Sequence, residues 1–80
     1  SSKHAEIYLV RGELLLKRKQ YELAQADIER AIELEPENPD CYVSRSQLYK
    51  ALKKNKLAQA DAQKAIRLGA NPSYLNIRKK

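Results

Sequence analysis

Eighty residues with 42% hydrophobic side chains, two Gly, three Pro and no Trp, Phe or Met describe one small helical domain, near the lower limit for a self-sufficient apolar core. The single Cys41 excludes an internal disulfide and fits a reducing location, cytoplasmic or nuclear; no apolar run approaches the ~18 residues needed to cross a bilayer, and no secretory signal opens the chain. The net charge of +6 is uneven, because residues 1–40 hold six Lys/Arg against nine acids (−3) while residues 41–80 hold ten against Asp61 alone (+9).

Four amphipathic stretches follow in chain order. The first runs from about Lys3 to Arg18 with Ile7, Tyr8, Leu14 and Leu15, and a polar gap at Lys19-Gln20 closes it. The second covers about Glu22 to Glu35. Pro36 stops it, Asn38 caps the next helix and Pro39 sits in that helix's first turn. The third spans about Asp40 to Leu52 and the fourth about Lys56 to Leu68, where Gly69 supplies a C-terminal cap. Asn71-Pro72 repeats the cap-and-proline start, so residues 73–80 read as the opening of a fifth helix. The expected core is Leu14, Leu15, Leu23, Ile28, Ile32, Leu34, Leu48, Leu57, Ile66 and Leu68, with Ala24, Ala31, Ala58 and Ala65 at close helix contacts.

The second and fourth stretches are related. Tyr21 to Leu34, shifted by 34 residues onto Asn55 to Leu68, is identical at eight of 14 positions, including Leu23/Leu57, Ala24/Ala58, Asp27/Asp61 and Ile32/Ile66. A fixed period of that length marks a stacked-repeat architecture. With Tyr8, Gly12, Tyr21, Ala24, Ala31, Ile32, Leu34 and Pro36 in one unit and Tyr42, Tyr49, Ala58, Ala65, Ile66 and Leu68 in the next, the chain resembles the tetratricopeptide repeat family. Ser46 stands where the second unit would have Gly, Asn55 replaces the Tyr, and Gly69-Ala70 replaces the Glu-Pro exit. The resemblance implies an all-α fold, a right-handed α-solenoid of antiparallel helix hairpins. Its units are 5–38 and 39–72, and 73–80 is a truncated first helix of a third repeat or a capping helix. Ser1-Ser2 then reads as a cloning remnant or the cut edge of a longer protein, and a longer array is the expectation.

The resemblance also implies a protein-interaction scaffold that holds a partner peptide or helix in a concave groove. By register the lining is Glu6, Leu9, Val10, Glu13, Leu16 and Lys17 from the first unit, then Asp40, Val43, Ser44, Gln47, Lys50 and Ala51 from the second. Leu9, Val10, Leu16 and Val43 would form an apolar strip flanked by charge, unless curvature or a further repeat covers them. Chaperone-binding relatives grip a C-terminal carboxylate from these positions with Lys and Asn. Here Leu9, Glu13 and Ser44 occupy the matching places, so that carboxylate clamp is not expected.

Other constellations have plainer readings. Arg11 with Asp27 recurs as Arg45 with Asp61, an ion pair fixing hairpin register rather than a ligand clamp. Tyr8, Tyr21, Tyr42 and Tyr49 read as packing residues, with base-stacking the alternative. The basic set Lys53, Lys54, Lys56, Lys64 and Arg67 reads as a solvated face. It also carries the competing function, electrostatic RNA binding through the second half, although no base-reading motif accompanies it. The opposite charges of the two halves permit head-to-tail self-association. His4 lies at the chain start without a nucleophile nearby. Cys41, at a helix start where the dipole lowers a thiol pKa, has no base beside it. No cofactor, metal, membrane or enzymatic activity is expected.

Overall fold

A computed structural model describes residues 3–72. They form four helices: α1 (Lys3–Lys17), α2 (Tyr21–Leu34), α3 (Pro39–Ala51) and α4 (Asn55–Arg67). The helix starts and ends lie within a residue of those expected from capping chemistry. Asn38 accepts a hydrogen bond from the backbone N–H of Asp40 at 2.9 Å, and Pro39 takes the first helical position, where its missing N–H is harmless. The fifth helix read at Ser73, with Tyr74 and the basic end, lies outside the described residues.

The turns inside both hairpins use one device. The N–H of Gln20 reaches the carbonyl of Leu15 and that of Lys19 the carbonyl of Leu16, both at 2.9 Å. Lys54 and Lys53 repeat the pattern on Tyr49 and Lys50. This double bond pattern drives the residue after the helix into the left-handed region, and Lys19 (φ 64°) and Lys53 (φ 62°) occupy it. Gly69, with φ 116°, closes α4 in the same way and without a steric penalty.

Each hairpin is a tight pair, α1 with α2 and α3 with α4. The pairs join mainly through α2 against α3, with a lesser contact of α1 on α3. The main core cluster holds Leu9, Ala24, Ile28, Ala31, Cys41 and Leu48, and so straddles the two hairpins. A second cluster of Tyr42, Ala62 and Ala65 lies within repeat two, and half-buried Ile32 packs against both. Close approach depends on small residues. A Cβ on Gly12 would meet Ile28 Cγ1 at 2.8 Å, and Ala24, Ala31 and Ala65 are wholly buried. Ile28 and Leu48 are the largest fully buried side chains, each stabilising by roughly 1.5–3 kcal/mol, so the core is thin.

Four expected core residues are not in it: Leu14, Leu23, Leu34 and Leu57 are exposed. Leu14 lies on the side of α1 opposite the buried stripe Ala5, Leu9 and Gly12. Leu23 sits about 90° round α2 from the stripe Ala24, Asp27, Ile28 and Ala31, and Leu57 repeats that position on α4. Helix α2 packs on α1 and α3, and helix α4 on α3, and these side chains face away from those neighbours.

Candidate partner-binding groove

Helices α1 and α3, the first members of the two hairpins, lie side by side and enclose an open concavity of about 530 Å³. It is lined by Glu6, Leu9, Val10, Glu13, Leu16 and Lys17 of α1 and by Asp40, Val43, Ser44 and Gln47 of α3. Its size falls in the range of ligand-binding clefts, and it is open rather than enclosed. Lys50 and Ala51, exposed on the last turn of α3, are not among its lining residues.

The apolar part is more sunken than the sequence suggested. Leu9 is buried in the core cluster and shows only an edge, and Leu16 and Val43 are half-buried. Val10 alone of the four stands exposed. The reason is that Leu9 shares one core cluster with Ala24 and Ile28 of α2 and with Cys41 and Leu48 of α3. The second hairpin supplies the cover that the sequence left open. Ser44 is buried, and its Oγ donates to Glu13 Oε2 at 2.5 Å, a bond from one repeat to the other across the groove floor.

The two ion pairs hold the hairpins in register. Arg11 Nε and Nη2 donate to the two carboxylate oxygens of Asp27 at 2.7 and 2.9 Å. Arg45 does the same to Asp61 at 2.7 and 3.1 Å. The carboxylates are buried in both, and hydrogen bonding to them raises both arginine pKa values. Three of the tyrosines, Tyr8, Tyr42 and Tyr49, lie against these cations. Arg11 stands 5.8 Å from the Tyr8 ring centre, and Arg45 5.6 Å from Tyr42 and 5.7 Å from Tyr49. Tyr42 is buried and its hydroxyl donates to the Pro36 carbonyl at 2.6 Å, so its ring is a packing surface rather than an open stacking platform.

Cys41 departs from the sequence reading. It is fully buried, and burial, reinforced by Glu35, Asp40 and Glu13, pushes its thiol up to about 11, overriding the helix dipole. Among the described residues no group of His, Cys, Asp and Glu could hold a metal ion.

The basic residues of the second half fall into two groups along the chain. Lys53, Lys54 and Lys56 are exposed at the α3–α4 turn, whereas Lys64 and Arg67 are exposed in the last turn of α4. Along that helix Lys56 and Lys64 are about 12 Å apart. Lys64 Nζ lies 5.1 Å from the Tyr42 ring centre.

A feature absent from the sequence reading is the outer face of α1, where Ile7 and Leu14 join the groove-lining Val10 in an exposed apolar line. The 34-residue shift places them on Cys41, Ser44 and Leu48, and that comparison was the signal that could have found them.

The fold and the groove define a class, a solenoid of paired antiparallel helices with a concave face built from the first helix of each pair. Two tetratricopeptide-repeat family models match the chain, one over residues 5–38 and the other over 39–71. The chain belongs to the tetratricopeptide repeat family. Beyond these models, no curated protein and no solved structure matches it. Members of this family generally mediate protein–protein interaction. No helix among the described residues is long and apolar enough to cross a membrane.

Proposed function

We propose that this module is a protein-interaction scaffold, and that the groove between α1 and α3 receives a peptide or helix of a partner protein. The observation that carries the reading is the composition of the concavity. Residues from both repeats meet there, with Val10, Val43 and the edges of Leu9 and Leu16 offering apolar contact inside a polar rim. The alternative, RNA binding through the basic second half, is weakened by the division of its lysines and arginines between the two ends of α4. A reducing cytoplasmic or nuclear setting suits the lone thiol.

The test selects displayed random peptides against the chain, and in parallel titrates labelled mixed-sequence single-stranded RNA at low and physiological salt. Peptide binding that falls at least tenfold in Val10→Ser/Gln47→Arg, with an unchanged melting curve, is the expected result. Peptide binding indifferent to that variant overturns the groove. So does salt-sensitive RNA binding, removed by charge reversal at Lys53, Lys54 and Lys56, in a protein that selects no peptide.

A further inference from the structure

The groove has a charge of the opposite sign to the molecule that carries it. The chain is +6 overall, yet the ionisable groups lining the concavity are Glu6, Glu13 and Asp40 against Lys17 alone. Glu6 and Glu13 are two turns apart on α1, about 10 Å along its axis, and Asp40 opens α3 opposite them. Resting on the peptide-binding reading above, we infer that the partner segment is cationic, an amphipathic stretch in which Lys or Arg alternates with aliphatic residues.

Three observations support this occupant. The arginines nearest the groove do not neutralise its acids. Arg11 and Arg45 are each engaged by both oxygens of a carboxylate on the second helix of their own hairpin, and neither lines the concavity. Glu13 is fixed in the floor, since Ser44 from the other repeat donates to one of its oxygens and a carboxylate can accept further donors. Val10 lies between Glu6 and Glu13 along α1 and lines the concavity together with Val43, so the methylene stem of a Lys or Arg could rest there with its head on a carboxylate. An acidic peptide or a free terminal carboxylate would meet the same three acids as repulsion, which makes the site selective as well as attractive.

The test uses two short, end-blocked, fluorescein-labelled peptides built on the unit Leu-Ala-Xaa, with Xaa Lys in one and Glu in the other, followed by anisotropy. The Lys peptide is expected to bind about tenfold more tightly, and the exposed-site variant Glu6→Lys/Asp40→Lys to erase or reverse that preference. Equal binding of both peptides, lost in Val10→Ser, overturns the charge inference and leaves the groove reading standing. A Lys preference that persists in Glu6→Lys/Asp40→Lys assigns the cation to another acidic face and overturns the inference. Absence of binding by either peptide, or binding indifferent to every groove variant, overturns the groove reading as well. Circular dichroism of each variant confirms that it is folded.

Discussion

The two repeats share a register but not a neighbourhood, and the contrast separates what a residue is from what surrounds it. Ile7, Val10 and Leu14 on α1 are 60%, 51% and 54% exposed, while Cys41, Ser44 and Leu48, 34 positions later, are 0%, 1% and 0% exposed. The more apolar set is the one in water, because repeat one covers α3 and nothing among the described residues covers this face of α1. The hairpin interiors show the complementary effect. Gly12 lies against Ile28, with no room for a Cβ. In repeat two the same place is Ser46, whose Oγ donates to the Ala58 carbonyl at 2.9 Å, and Ala62 stands where repeat one has Ile28. Volume removed from one helix is thus returned on the other. The ion pairs differ in the same sense, with the Arg11 side chain 62% exposed and that of Arg45 23%.

The largest expected difference tests the covered face. Leu48→Ala should lower the unfolding free energy by about 2–5 kcal/mol, and Leu14→Ala by no more than about 0.5 kcal/mol. Urea denaturation reads both, and equal losses would mean that the outer face of α1 is covered in solution. The ion pairs come next. Asp61→Ala leaves Arg45 half-buried between two tyrosine rings and should cost about 3 kcal/mol. Asp27→Ala should cost less, because Arg11 can turn to water; the reverse order in thermal melts would break the comparison. The compensation within hairpins predicts that Gly12→Ser destabilises by about 1–3 kcal/mol. In an Ile28→Ala background the same change should have little further effect, and a double-mutant cycle measures the coupling. The smallest effect should be identical in both repeats. Lys19→Gly and Lys53→Gly relieve a left-handed residue and should each raise stability by about 0.5–1 kcal/mol, seen as a higher denaturation midpoint.

Much of this was legible in the sequence because it rests on local chemistry repeated at a fixed interval. Asn38-Pro39 announces a helix start, Gly69 an end, and the spacing of Arg11 from Asp27 and of Arg45 from Asp61 closes each hairpin. The groove residues follow from the same periodicity, since the first helix of each pair must present one face to the other. The exposure of individual leucines was not legible. Leu14 and Leu48 have the same residue type and register, and only the presence of a packed neighbour separates them. Leu9 was read as open surface for the same reason: the core cluster that buries it includes Cys41 and Leu48, far along the chain. The rise in the Cys41 pKa follows too, because position at a helix start is a local fact and burial is not.

Cys41 has one more consequence. Its sulfur is enclosed by side chains of both hairpins and so lies on the seam where they meet. A thiol reagent gains access only when that seam parts, which makes the unaltered protein its own clock for the separation of the two repeats. Modification as slow as global unfolding would describe a rigid pair, whereas faster modification would describe hairpins that part and rejoin while each remains intact.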